Sequence, residues 1–149
     1  MVSGRGVDEG VFFLFWQGIL DDQFTQLQML QDESTPDFLE EVVTLFFDDS
    51  VKLLENLSES LKADPLDYKV VDGHVHQFKG SSSSIGAQRV MQVCITFRHC
   101  CDNKDKQGCL DHLAKAKEEF NIVRSKLGKM LKLEKKIVDL GGVLPFMDC

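Results

Sequence analysis

Between Val71 and Ile85 the chain reads VDGHVHQFKGSSSSI, and the apolar spacing of this stretch constrains everything around it. Val71, Val75, Phe78, Ser82 and Ile85 recur at intervals of four, three, four and three, the period of one helical face and not of a strand. At about 100° per residue, the five fall within about 40° of a common direction. Such a stripe can be buried only against other helices. The same spacing marks three more segments: Leu39, Val43, Phe46, Ser50, Leu53, Leu57 and Leu61; then Ala87, Val90, Cys94, Phe97 and Cys101; then Leu113, Ala116, Phe120, Val123, Leu127, Met130 and Ile137. No segment has strand period, and no long-period repeat is present. The pattern predicts an all-α fold, an antiparallel four-helix bundle with additional short helices at the N-terminal end.

Local signals place the boundaries. Asp21 or Asp22 caps a short helix to about Leu30, and Ser34-Thr35-Pro36 opens a second that runs to about Ala63. Asp64-Pro65 stops it. The histidine-bearing helix is expected from about Leu66 to Ser84, closed by Gly86 in a tight turn. A fourth helix follows from Ala87, Asp102 to Gly108 form a charged turn, and the last helix runs from Cys109 to Leu140 before Gly141-Gly142. This gives a segment 1–18, a bundle domain 19–140 and a tail 141–149. The run Val11–Trp16 (VFFLFW) is too short for a bilayer span, which takes about 20 apolar residues. Asp8 and Glu9 before it argue against a signal peptide. A first helix packed on the bundle is preferred to a membrane or partner contact.

A formal net charge of −7 argues against a general nucleic-acid binder, which needs a basic face. Five cysteines, with Cys100 and Cys101 adjacent, do not form an extracellular disulfide framework and favour a reducing compartment. His99, Cys100, Cys101, Cys109 and His112 invite a zinc reading. Cys109-x-x-His112 has no matching pair at a recognised interval, however, and several of these cysteines fall on core stripes, so no metal site is assigned. Paired Glu-x-x-His motifs for a di-iron centre are absent from the sequence.

The two histidines of the central stretch have different fates. His76 points roughly 140° from the buried stripe, toward water, whereas His74 lies only about 60° from it. Helical neighbours of His76 are Asp72 and Gly73 on one side, Lys79 and Gly80 on the other, with Ser83 two turns along. Each glycine costs a helix interior about 1 kcal/mol relative to alanine. Bare backbone at Gly73 and Gly80 is worth that cost if a bulky partner must approach the ring. Lys79 can place an ammonium beside an anion on the imidazole, and Ser83 can donate a hydrogen bond. An exposed imidazole with open access, a cation one turn away and no orienting acid–base triad has the character of a phosphoryl acceptor. The ordinary alternative, a surface histidine on a solvated face, explains neither the glycines nor Lys79.

HQFKGSSSSIGA, His76 to Ala87, closely resembles the signature of histidine-containing phosphotransfer proteins, most of all the plant type with His-Gln-x-Lys-Gly-Ser-Ser. The likeness runs from about Leu20 to Leu140 and takes in DDQFTQLQMLQDE, PDFLEEVVTLFFDDS, FRHCC and GCLDHLAKAKEEF. The resemblance implies that His76 is phosphorylated, with Lys79, Gly80, Ser83 and Gln77 stabilising the phosphohistidine or clearing access to it. Asp72 and Gly73 then belong to a possible docking face. It implies receiver domains of hybrid sensor histidine kinases as donors and response regulators as acceptors. No cofactor is expected on this chain, the magnesium belonging to the partner receiver. ATP-dependent kinase activity is not expected, since the chain has no Walker lysine motif. Cytokinin-type signalling, traffic between cytosol and nucleus, and a monomer without nucleic-acid or membrane partners complete the expectation. Two other classes remain: a helical module that binds and sequesters receivers without carrying phosphate, and a thiol- or metal-responsive bundle.

Overall fold

A computed structural model describes residues 18–31 and 37–139, the side chains of 133–139 excepted. Among the described residues are five helices: α1 (Asp22–Leu30), α2 (Phe38–Ser60), α3 (Tyr68–Ile85), α4 (Gln88–Asp102) and α5 (Lys106–Asp139). The apolar run Val11–Trp16, the start signal Ser34-Thr35-Pro36 and the tail from Gly141 lie outside them. α2 packs on α3, α3 on α4, α4 on α5 and α5 back on α2, while α1 leans on α2 and α3. This closed order is the expected antiparallel four-helix bundle with one short helix described before it.

The four stripes form the core. Val71, Val75, Phe78, Ser82 and Ile85 of α3 are all buried, as are Leu39, Val43, Phe46, Ser50, Leu53 and Leu57 of α2 with Leu61 just beyond its end. Val90, Cys94, Phe97 and Cys101 of α4 and Leu113, Ala116, Phe120, Val123 and Leu127 of α5 face the same interior. Met130 is half-buried against it, and the side chain of Ile137 lies outside the described residues. Phe120 is central: its ring lies 6.0 Å from Phe46, 6.2 Å from Phe47 and 6.4 Å from Phe78, all edge-on. Arg89 of α4 binds Glu119 of α5 through two bonds, 2.6 and 2.9 Å, at the rim. Burying a Val, Leu, Ile or Phe side chain stabilises by roughly 1.5–3 kcal/mol. The four apolar members of the α3 stripe therefore outweigh the cost of its two exposed glycines several-fold, and α3 tolerates a sequence with poor intrinsic helix propensity.

Three of the helix ends that differ from expectation do so for a plain local reason. α2 ends at Ser60 and not Ala63, because Pro65 lacks an N–H and its ring clashes with a helical carbonyl at residue 61. α3 begins at Tyr68, two residues late, where the Asp67 carboxylate accepts from the N–H groups of Lys69 (3.0 Å) and Val70 (3.4 Å). α5 begins at Lys106, three residues early, because the Asp105 carboxylate accepts from Gly108 N–H at 3.0 Å. Of the charged stretch that reads as a turn, Lys106 to Gly108 are thus the first turn of a helix, and only Asn103 to Asp105 lie between helices.

The α3–α4 turn is the tightest joint. Gly86 has φ +80°, the left-handed region, and its carbonyl accepts from Asp21 N–H at 3.0 Å. Leu20 and Ala87 form an isolated antiparallel bridge, and the Asp21 carboxylate caps α1 at Gln23 N–H, 2.9 Å. A Cβ at Gly86 would stand 2.6 Å from the backbone nitrogen of Phe24. Both the dihedral and the space demand glycine here. Gly86→Ala is expected to destabilise the protein by about 2 kcal/mol or more, from left-handed strain and displacement of α1. Urea denaturation checks it; an unchanged midpoint would contradict this account of the joint.

Candidate functional site

α3 turns its polar face outward at the positions the stripe dictates. His76, Gln77, Gly80 and Ser83 are exposed, Lys79 and Asp72 are half-buried, and His74 sits at the edge of the buried arc, half-covered. Gly73 and Gly80 are both exposed, and a Cβ on either would meet nothing within 4 Å. Neither glycine is there to let another helix close in. The packing explanation fails, and unobstructed backbone beside His76 is what remains.

The four serines separate cleanly. Ser81 Oγ donates to the Phe78 carbonyl (3.2 Å) and Ser84 Oγ to the Gly80 carbonyl (3.0 Å), both bonds folding back on the helix. The Ser82 hydroxyl is buried without a partner, as is that of Ser50. Ser83 alone is exposed with no side-chain partner among the described residues. It lies about 20° around the helix from His76 and two turns on. Lys79 likewise has no ion pair among the described residues, so its ammonium is uncommitted. Gln77 is exposed but adjacent in sequence, and successive residues on a helix do not face one another. The structure therefore gathers His76, Lys79, Gly80 and Ser83 on one side of α3 and leaves Gln77 apart.

One member of the site comes from a different helix. Arg98 of α4 donates from Nε to Asp72 Oδ1 (2.9 Å) and from Nη2 to Asp72 Oδ2 (3.2 Å), a bidentate pair across the α3–α4 interface. Its remaining terminal nitrogen, Nη1, lies 3.0 Å from His76 Nδ1. A guanidinium has donors only, so Arg98 donates and the imidazole accepts. The sequence alone suggested no orienting partner for the ring; the structure supplies an Asp72–Arg98–His76 chain. Asp72, expected on a docking face, is held by Arg98. The bond that Arg98 donates to the Asp72 carboxylate, opposed by partial desolvation and reinforced by the carboxylate's charge, raises the guanidinium pKa above its ordinary value, so it carries its charge throughout. With about a third of each side chain exposed, the pair is worth at most about 1 kcal/mol to stability. Its consequence is positional: His76 Nδ1 is engaged, and Nε2 has no partner among the described residues. Residue spacing cannot reveal Arg98, because the contact depends on the register between two helices.

The cysteine-rich end behaves as core. Burial pushes the Cys94 thiol up to about 12, a shift that the nearby Lys79 ammonium only partly opposes, so the thiol is protonated at neutral pH. Cys101 and Cys109 are buried with sulfurs 3.9 Å apart, and burial raises both. His112 Nδ1 donates to the Gly108 carbonyl at 2.8 Å, with Cys100 Sγ 3.6 Å away. Nothing here favours a reactive thiol.

The profile of the Hpt domain matches residues 41–132, a span that includes α3 and Arg98. The chain belongs to the Hpt family. Histidine-containing phosphotransfer protein 1 of Arabidopsis thaliana is 52% identical over 135 residues, 91% of this chain and 88% of that protein. Histidine-containing phosphotransfer protein 5 of the same plant is 48% identical over 145 residues, 97% of this chain and 92% of its own length. Among solved structures, the histidine-containing phosphotransfer protein MtHPt2 from Medicago truncatula superposes with a TM-score of 0.85 at 45% identity, covering 91% of this chain and 92% of that one. This Hpt protein is therefore of the plant type, as the motif at His76 implied.

The unobstructed glycines yield a direct expectation. Gly80→Ala adds a methyl group to open space on a regular helix and should raise stability by roughly 0.5–1 kcal/mol. A thermal melt shows it as a higher Tm; a lower Tm would mean that Gly80 has a packing role after all.

Proposed function

We propose that this Hpt protein carries phosphoryl groups on His76 between receiver domains. The observation that carries the reading is an exposed imidazole whose Nε2 has no partner among the described residues, braced at Nδ1 from another helix and flanked by backbone without side chains. Once the ring proton has moved from Nε2 to Nδ1 through water, Nε2 attacks the aspartyl phosphate of a hybrid sensor kinase's receiver, and Nδ1 afterwards returns that proton to water. The P–O bond to the aspartate breaks as the P–N bond forms, and the carboxylate leaves with the electron pair. Lys79, one turn along, offsets the charge of the phosphoryl oxygens, and Ser83 donates to one of them. Gly80 and Gly73 leave room for the receiver's loops to close over the ring. Return to an aspartate on a response regulator is the same step reversed.

Positioning and charge are all that this chain contributes to such a transfer. The magnesium and the acidic residues that hold it belong to the receiver, and the chain performs no ATP-dependent phosphorylation of its own. Membership of the plant type supports a place in cytokinin-type relays, serving both cytosol and nucleus as a monomer.

Incubation with a phosphorylated receiver tests the reading. Wild-type protein should acquire acid-labile phosphate, and His76→Gln should acquire none. Gly80→Gln should fold normally but load more slowly, because its side chain crosses the approach to the ring. Equal labelling of wild type and His76→Gln would remove the proposal. Tight binding of receivers with no label on either would favour sequestration instead.

A further inference from the structure

The bond between Arg98 and His76 has a chemical direction that decides where the imidazole proton sits. Arg98 is permanently protonated and has no acceptor atom, so the 3.0 Å contact requires a lone pair on Nδ1. A neutral imidazole has one N–H and one lone pair. With the lone pair committed at Nδ1, the proton is on Nε2. The nitrogen without a partner among the described residues is therefore the protonated one, and the nitrogen with the lone pair is engaged by Arg98.

We infer that Arg98, braced by Asp72, is a positioning residue that locks unphosphorylated His76 in its Nε2–H tautomer and meets the same Nδ1 lone pair again once Nε2 has received phosphate. Phosphorus then replaces the proton on Nε2, while Nδ1 again has a lone pair for Arg98 to meet. One contact thus withholds the nucleophile in the empty carrier and fits the loaded one. Loading requires Arg98 to let go once. As it withdraws toward the incoming phosphoryl oxygens, Nε2 gives its proton to water and Nδ1 takes one up. The exposed lone pair then forms the P–N bond as the donor's P–O bond breaks. Nδ1 finally returns its proton to water, and Arg98 donates to it again. Two features make Arg98 suited to this. Its exposure of about a third lets it swing. The bidentate hold of Asp72 on its Nε and Nη2 returns Nη1 to the same place.

The consequence for loading rests on His76 as the acceptor; the tautomer does not, so the two fail separately. ¹⁵N NMR of the imidazole-labelled, unphosphorylated protein at neutral pH reads the tautomer directly. Wild type should show Nε2–H alone. Arg98→Ala should relax toward the mixture of a free imidazole, and Arg98→Lys, which keeps a cationic donor, should restore part of the preference. Potassium phosphoramidate then loads His76 without a protein partner, and the loaded ring should lose phosphate about tenfold faster in Arg98→Ala, for loss of one charge-assisted hydrogen bond. A merely structural arginine would move neither signal. A substantial Nδ1–H population in wild type overturns the lock, even if Arg98→Ala fails to fold. So does a tautomer ratio or phosphate lifetime indifferent to Arg98. A locked tautomer in a protein that takes no phosphate from any receiver would instead overturn the carrier reading.

Discussion

The rotational setting of α3 is the constraint on which the site depends. Five buried positions, from Val71 to Ile85, fix which way the helix faces. With 3.6 residues per turn, that leaves no freedom in where His76 points. Burial of the stripe is strong enough to carry two glycines and four serines that local propensity would reject. Stability thus comes from one side of the helix, and the other side is released from any duty to stabilise. Bare backbone, a lysine and a hydroxyl without partners among the described residues collect there because the core can do without them.

The surrounding helices convert that setting into an address. α4 supplies Arg98 from a flank beside buried Phe97, so the residue reaches the surface of α3 without entering the core. Gly86 makes the turn between the two helices tight, and Asp21 ties α1 to the same turn. A short rigid joint keeps the register of α3 against α4, and register is what brings Asp72, His76 and Arg98 together.

Much of this was legible in the residues. Stripe positions in all four long helices were readable because a 3.6-residue period leaves few alternatives, and the exposed His76 and half-covered His74 followed from the same geometry. Boundaries were harder, since Asp67 and Asp105 act through side-chain caps that composition alone reads as loop. Arg98 could not be found by periodicity, because its meaning lies across an interface between helices. Asp72 was correctly placed near His76 but looked available; its carboxylate is in fact committed to Arg98.

The central claim is that one nitrogen of one histidine is both presented to a partner and chemically specified. Charging the ¹⁵N-imidazole protein from a phosphorylated receiver and detecting one-bond coupling between phosphorus and nitrogen tests this most directly. The account predicts a single coupled site, Nε2 of His76, with His74, His99 and His112 unmodified. Phosphorus coupled to Nδ1, or attached to any other residue, would contradict it.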